Sequence, residues 1–201
     1  MIMRNSNRQP FDDTSRVMGS RLARMLSHAD HRRCYAVLVL VELGVLAVAA
    51  WRAPGALALG LVWLGGVAAW TLLEYLLHRF VFHIPRTSPL SALGSRQHLD
   101  HHDAPSRLPI TKPLYLTLPA IVIGVGVVST LGPLGLAVAA GLVAGYLGYE
   151  LAHVAAHVLV GDHPLPNLQA LHLQHHIEPG RAFGITNGVW DRVFGTQEVQ
   201  R

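Results

Sequence analysis

Four long apolar runs restrict most strongly how this chain can fold. They cover residues 34–51, 56–77, 113–132 and 133–157 of a chain of 201 residues. A helix of about 20 apolar residues crosses the hydrocarbon core of a bilayer, which is roughly 30 Å thick. Short polar or Gly-Pro breaks separate the runs within each pair. The pattern therefore predicts an all-α integral membrane protein with four transmembrane helices in two hairpins.

The polar segments should all lie on one side of these hairpins. A hairpin returns the chain to its starting side, so residues 1–33, 84–112 and 160–201 should share a compartment. Of the 16 lysine and arginine residues, only Arg52 lies at a hairpin tip. Positive charge is retained on the cytoplasmic side of membrane proteins. We therefore expect a multi-pass protein with both termini cytoplasmic, a basic segment at 1–33 and one membrane-embedded domain at 34–201.

Charge and cysteine content exclude several other classes. The arginines are spread along the polar segments without a nucleic-acid-binding motif, so the sequence pI of 9.7 indicates a membrane partner and no nucleic acid. Cys34 is the only cysteine, which excludes a disulfide within the chain and a metal site built on cysteines. Because 33 mostly polar residues precede the first apolar run, we expect a retained anchor and not a cleaved signal peptide.

Ten of the 13 histidines form four clusters. They are His78 and His83 in "HRFVFH", His98, His101 and His102 in "HLDHH", His153 and His157 in "HVAAH", and His172, His175 and His176 in "HLQHH". Helix positions i, i+3 and i+4 share a face, so three of the clusters should each project their imidazoles in one direction. The first pair points about 140° apart on a regular helix. It can share a face only if the helix unwinds near Ile84-Pro85.

The clusters should meet at one boundary between membrane and water, because they end the second and fourth runs or follow them. Neutral imidazole is the commonest metal ligand among side chains. Ten imidazoles exceed the shell of one ion, which takes about four to six ligands. The pattern predicts two metal ions at this boundary, on its cytoplasmic side, and iron and zinc suit nitrogen ligands equally well. His28, His31 and His163 stand apart, and we expect them to be ordinary hydrogen-bonded residues.

Several charged residues lie beside these clusters. The carboxylates Glu74, Asp100, Asp103 and Glu150 are expected either to orient imidazole N–H groups or to pair with arginines at the membrane surface. Glu42, inside the first run, is expected either to form a buried hydrogen bond or to be a protonated acid. Cations that could hold a substrate head group, or simply anchor the polar side, are Arg79, Arg86, Arg96, Arg107, Lys112 and Arg181.

The segment "GITNGVWDRVFG" near the C-terminus predicts a short helix packed under the histidines. Thr186 or Asn187 should cap this helix. Helical spacing should then bury Val189, Val193 and Phe194.

Residues 70 to 196 resemble the fatty acid hydroxylase and sterol desaturase superfamily, and most closely the fatty acid 2-hydroxylases. The resemblance lies in "LEYLLHRFVFH", "RQHLDHHDAPSRLPIT", "YELAHVAAH", "LHLQHH" and "FGITNGVWDRVFGT". It implies four membrane helices capped by a dimetal site and an O2-dependent monooxygenase that hydroxylates the 2-position of a fatty acyl chain. The metal ligands it implies are His78, His83, His98, His101, His102, His153, His157, His172, His175 and His176.

The implied chemistry narrows the choice of cofactors. A C–H bond without a leaving group requires a redox cofactor, so iron is expected for activity, and zinc could occupy the same ligands in the isolated protein. Some eukaryotic relatives carry a fused cytochrome b5 domain, which this sequence does not contain. We therefore expect electrons from a separate cytochrome b5-like or ferredoxin-like protein.

Three alternatives remain open at this point, one of which is a non-catalytic relative that keeps the metal site for structure. The same dimetal site could hydroxylate or desaturate a sterol or a carotenoid. A membrane metal transporter or metal-storage protein would also use clustered histidines. Transport sites lie near the bilayer midplane, however, whereas these clusters gather at one end of the apolar runs.

Overall fold

A computed structural model describes residues 19–52 and 55–197, and within these ranges the chain is helical with no β-strand. The first part of the expected basic segment, residues 1–18, lies outside the described residues. A π-helical turn, His78–Phe82, continues the second helix, and a 3-10 turn, Pro89–Leu93, precedes the third. Residues 19–25 are also helical. The α-helices with both ends among the described residues are α1 (Ala29–Arg52), α2 (Ala56–Leu77), α3 (Ser95–Asp103), α4 (Leu114–Ser129), α5 (Pro133–Val158), α6 (Pro166–Ile177) and α7 (Val189–Val193).

In the described part of the chain, three helical segments are long and apolar enough to cross a membrane. They are Ala29–Arg52, Ala56–Phe82 and Pro133–Val158. Helix α4 is also apolar, but its 16 residues extend only about 24 Å, which is less than a hydrocarbon core of about 30 Å. The all-α prediction is confirmed. The run expected at 113–132 forms a shorter helix, because the chain turns after Ser129 and passes through Gly132 at φ +84°.

Helix α5 forms the centre of the helical bundle, since α1, α2 and α4 all pack against it. Small residues on α5 allow this close approach. A methyl group added at Gly141 would overlap the carbonyl oxygen of Trp63 on α2, and one added at Gly145 would overlap the Trp70 ring. The first two helices thus pack mainly on α5 and only slightly on each other.

A partly buried polar contact joins the two apolar helices of the first pair. Trp63 Nε1 on α2 donates a hydrogen bond of 2.9 Å to Oε1 of Glu42 on α1. An ionisable side chain within an apolar span is costly unless it is partnered. Glu42 therefore forms a hydrogen bond, as expected, but this bond is only partly buried.

The shorter helices and the C-terminal segment cover one end of this bundle. Helix α3 packs on the π-helical turn, α6 on α5, and α7 on α2. The C-terminal segment is attached by a hydrogen bond of 2.9 Å from Trp190 Nε1 to Thr71 Oγ1, and by one of 3.0 Å between the hydroxyl groups of Tyr75 and Thr196. All four histidine clusters lie at this covered end.

The short C-terminal helix is present, but one expectation about it is wrong. It begins at Val189, whose N–H donates to the side-chain oxygen of Asn187 at 3.0 Å. Val189, Val193 and Phe194 are 52%, 64% and 47% exposed, although their spacing predicted burial. The residue that α7 buries is Asp191, because its carboxylate binds the preceding loop.

Candidate metal centre

A π-helical turn brings His78 and His83, which would point in different directions on a regular α-helix, close together. In a π-helical turn the backbone hydrogen bonds join residues i and i+5. Such turns are rare and are often found at functional sites. The turn starts at His78 and brings its ring to a centroid distance of 5.2 Å from that of His83. The sequence suggested that the helix unwinds near Ile84-Pro85. The structure shows instead that the helix widens at His78, the first histidine.

The ten clustered histidines converge in two groups of five. The first, called the His78 group, contains His78, His83, His98, His102 and His175. The second, called the His153 group, contains His101, His153, His157, His172 and His176. Within each group, one nitrogen from every ring lies within 4.8 Å of the others. Both "HxxHH" motifs contribute to both groups, so the same two helices build the two halves of the site.

The spacing of the ring nitrogens fits a shared metal ion. Four Nε2 pairs in the His78 group are 3.0, 3.0, 3.1 and 3.2 Å apart. Four in the His153 group are 2.7, 2.9, 3.1 and 3.2 Å apart. Two nitrogens bound about 2.1 Å from one ion at a right angle would lie about 3 Å apart. Each group could therefore hold one ion through its Nε2 atoms.

Two main-chain carbonyl groups fix the orientation of two rings in the His78 group. Nδ1 of His78 lies 2.6 Å from the carbonyl oxygen of Phe183, and Nδ1 of His175 lies 2.6 Å from that of Arg181. A carbonyl oxygen only accepts, so Nδ1 carries the proton in both rings. Their Nε2 lone pairs are thereby directed at the group, which is the tautomer that a metal requires.

Burial keeps these rings in the neutral form. Together with a smaller effect of neighbouring histidines, it lowers the pKa of His83 to about 4 and the pKa values of His101 and His175 to about 3. The ordinary pKa of histidine is about 6.5. At neutral pH the imidazoles are uncharged, and the neutral ring is the one that binds metal.

The structure places the predicted carboxylates near the histidines but gives them other partners. Glu74 accepts hydrogen bonds from the N–H groups of Ile185 and Thr186, at 2.6 and 2.9 Å, and from the Thr186 hydroxyl at 2.6 Å. Glu150 accepts from the Tyr146 hydroxyl at 2.6 Å. In the described part of the chain, no hydrogen bond joins either carboxylate to a histidine.

The other two predicted carboxylates lie on the surface. Asp100 and Asp103 are mostly exposed, and both bind the Arg86 guanidinium, at 3.0 and 2.6 Å. This arrangement corresponds to the arginine-paired alternative for these residues. Exposed ion pairs of this kind contribute only about 0–1 kcal/mol.

Sequence reasoning did not identify the residues that hold the C-terminal loop against the His78 group. Asp191 accepts hydrogen bonds from the N–H groups of Phe183 and Gly184, at 2.8 and 2.9 Å. Glu74 binds the next two residues of the same loop. The carbonyl groups that orient His78 and His175 belong to the main chain, so no side-chain pattern could reveal them.

Outside the two groups, His31 has a structural role. It is fully buried; its Nε2 accepts from the N–H of Ile110 at 3.0 Å, and its Nδ1 lies 3.1 Å from the Met25 carbonyl oxygen. His28 and His163 each accept a hydrogen bond from a nearby main-chain N–H. These three rings have hydrogen-bond partners of their own and lie outside the candidate metal centre.

This fold and site belong to a known enzyme family. The fatty acid hydroxylase family model matches residues 63–196, a range that contains all ten clustered histidines and the C-terminal loop. The chain is therefore a member of the fatty acid hydroxylase family.

Curated relatives and a solved structure agree with this assignment. The chain is 33% identical to the ceramide very long chain fatty acid hydroxylase scs7 of Schizosaccharomyces pombe, over 66% of this chain and 41% of that protein. It is 32% identical to the dihydroceramide fatty acyl 2-hydroxylase FAH2 of Arabidopsis thaliana, over 76% and 67%. It is 34% identical to the fatty acid 2-hydroxylase of Mus musculus, over 71% and 41%.

The structural match extends over most of the chain. A structure described as full-length scs7p, with only its hydroxylase domain visible, superposes with a TM-score of 0.70 at 30% identity, over 82% of this chain and 65% of that one. The chain spans about two fifths of the length of the fission yeast and mouse relatives. The similarity thus concerns only part of the length of those two proteins.

Proposed function

We propose that this chain is a membrane-bound, O2-dependent dimetal hydroxylase that acts on the 2-position of a fatty acyl chain. The observation that carries the proposal is the pair of five-histidine groups at one end of an apolar helical bundle. The relatives named as 2-hydroxylases support the position of hydroxylation.

The two groups would each hold one metal ion, with all ten clustered histidines as ligands. The donor set contains only imidazole nitrogen, which suits iron and zinc alike. Bound iron would supply the redox chemistry that activates O2 and attacks an unactivated C–H bond, whereas zinc cannot. The electrons would come from an external cytochrome b5-like or ferredoxin-like donor.

The chain's own residues would keep water from the reacting end of the substrate. The Phe183 ring is 5% exposed and lies 5.7 Å from the His78 ring and 5.4 Å from the His175 ring, measured between centroids. Ile185, which follows in the same loop, is 2% exposed. Because Asp191 and Glu74 hold this loop, it forms a fixed apolar cover over the His78 group.

The proposed topology places the histidine end in the cytoplasm. Helices α1, α2 and α5 would span the membrane, and α4 would serve as a shorter fourth span that completes the second hairpin. Arg21 and Arg24, both paired with Asp162, lie at the histidine end, as does Arg86. This distribution supports a cytoplasmic assignment. Residues 34–201 would form the single hydroxylase domain, preceded by the basic segment.

The test compares lipids from host cells that express the wild type, His175→Ala or His163→Ala, grown under 18O2. His163 lies outside both groups and makes only a local hydrogen bond, so its variant is the matched control. We expect 18O-labelled 2-hydroxy acyl lipids with the wild type and the control, and none with His175→Ala. A labelled sterol or carotenoid product would indicate the alternative substrates. Metal accumulation without any oxidised lipid would indicate a transporter or a storage protein.

A further inference from the structure

An apolar groove runs along the helices toward the His78 group. Helices α2 and α4 both pack on α5 but make little contact with each other in the part of the chain that the structure describes. The space between them is a groove of about 350 Å³. Its lining is almost entirely apolar, with Lys112 as the one charged residue. The groove therefore offers a site for a hydrocarbon chain.

The sequence positions of the lining residues give the groove a direction. Leu77 and Val81, which flank His78, line one end. Gly124 and Val125, near the far end of α4, line the other. From Leu116 to Val125 the helix rises about 14 Å. An extended hydrocarbon chain advances roughly 1.25 Å per carbon, so this length holds about 11 carbons.

Lys112 lies where the groove meets the histidines. It also lines a second cleft, together with His98, His101 and His153. Its ammonium nitrogen lies 3.7 Å from the centroid of the Phe82 ring. Among the residues that the structure describes, it makes no side-chain hydrogen bond and no ion pair. Its charge interacts with the Glu150 carboxylate, but within the described residues none of its N–H donors is used in a hydrogen bond, so this partly buried ammonium can donate one to an oxygen of a ligand.

We propose that this groove binds the acyl chain of the substrate and that the Lys112 ammonium donates a hydrogen bond to the oxygen on C1. The proposal rests on the proposed function, because C2, the carbon to be hydroxylated, is bonded directly to C1. Holding the C1 oxygen at Lys112 places C2 beside the His78 group and directs the rest of the chain toward Gly124. The C1 oxygen can belong to a free carboxylate or to an amide carbonyl.

The first test measures 2-hydroxylation of palmitate and of N-palmitoyl sphinganine by the purified full-length chain with a reductase system. Hydrogen bonds to charged groups correspond to roughly a tenfold to hundredfold change, so Lys112→Met should lower kcat/KM by that factor. Lys112→Gln retains a neutral donor. If the ligand is a carboxylate, both variants lose activity on palmitate; if it is an amide, the Gln variant remains near wild type on the sphinganine substrate.

The matched control removes a charge outside the groove. Arg52 is exposed at the end of α1 and does not line the groove, so Arg52→Met should leave both activities within about threefold of wild type. The metal content of all variants is measured in parallel, because a merely structural role of Lys112 would change it. A Lys112→Met variant with wild-type kcat/KM on both substrates overturns the assignment.

The second test fills the groove at its far end. A Cβ built on Gly124 or on Gly126 meets no atom within 4 Å, but only Gly124 lines the groove. Gly124→Leu should shift the 2-hydroxy products toward shorter chains, and Gly126→Leu should leave the chain-length profile unchanged. An unchanged profile with Gly124→Leu overturns the groove as the acyl site.

Binding of a photoreactive palmitate separates failure of this inference from failure of the proposed function, since binding needs no turnover. Labelling that excess palmitate prevents, and that Gly124→Leu reduces at least fivefold, supports the groove even if no 2-hydroxy product forms. Equal labelling of wild type and Gly124→Leu overturns it. The proposed function fails separately, if the metal-loaded wild type makes no 2-hydroxy product.

Discussion

The substitution Glu74→Ala tests whether the C-terminal loop supports the candidate metal centre. Glu74 is 2% exposed and accepts hydrogen bonds from two main-chain N–H groups, those of Ile185 and Thr186. Its removal leaves both donors without a partner. Each such buried group costs about 1–3 kcal/mol. Because Thr186 is only partly buried, we expect the free energy of unfolding to fall by about 2–4 kcal/mol.

The same substitution should affect one metal ion more than the other. The loop that Glu74 holds carries the carbonyl oxygens of Arg181 and Phe183, which orient His175 and His78. Loss of such an orienting partner lowers metal affinity about 10- to 100-fold. The His153 group has no hydrogen bond to this loop among the described residues. We therefore expect a competing chelator to remove one ion from the variant at a lower concentration than the second ion.

The assay combines thermal unfolding in detergent with metal content measured during a chelator titration. Asp100→Ala is the matched control, since Asp100 is a mostly exposed carboxylate whose hydrogen-bonded partner is Arg86. It should change stability by less than about 1 kcal/mol and leave both metal affinities unchanged. The reasoning is refuted if Glu74→Ala matches this control in both measurements.

Three further predictions follow from the packing, the charges and the topology. Gly141→Ala should destabilise the protein by about 1–3 kcal/mol, because the added methyl group forces α2 away from α5. Gly148→Ala should not, because the space around Gly148 is open. Equal unfolding midpoints of the two variants would contradict this. The metal-free protein should lose stability as the pH falls from about 6.5 toward 4. In this range the histidines of the unfolded chain bind protons, whereas buried rings of the folded protein such as His83 stay neutral, so the unfolded state is favoured. An unchanged thermal midpoint at pH 5 would argue against this. An impermeant maleimide should label Ser106→Cys only from the cytoplasmic side and Thr130→Cys only from the opposite side, and labelling of both from one side would exclude the proposed hairpin.

The long helices and the ten clustered histidines could be predicted from the sequence, because both depend on the spacing of nearby residues. Apolar runs of about 20 residues predict long helices regardless of their neighbours. Positions i, i+3 and i+4 share a face in any helix, so each "HxxHH" motif projects its rings together. The ten histidines chosen in this way are the ten that form the two groups.

The partners of each ring depend on tertiary contacts that spacing does not encode. His98 and His102 meet His78 and His175, while His101 on the same helix meets His153 and its neighbours. The helix face is predictable, but the opposing helices are not. The π-helical turn at His78 is a rare local conformation that is less favourable than a regular α-helix, and the contacts around it compensate for this. Local spacing therefore does not predict it.

The hydrophobic pattern also failed to predict where an apolar helix ends and whether its apolar face is buried. The run at 113–132 is continuous in hydropathy, yet the chain turns through Gly132, which adopts a φ of +84° that glycine permits most readily. The apolar stripe of α7 predicted burial, but Val193 points outward. Helical spacing identifies an apolar face without showing whether protein covers it.

The metal content of the purified full-length chain tests the central claim most directly. The protein would be expressed in iron-supplemented cells, purified in a mild detergent and measured for all transition metals against quantified protein. Two five-histidine groups predict about two ions of iron plus zinc per chain, and about one in a His157→Ala variant, which damages only the His153 group. A wild-type ratio near one or zero would contradict the dimetal account.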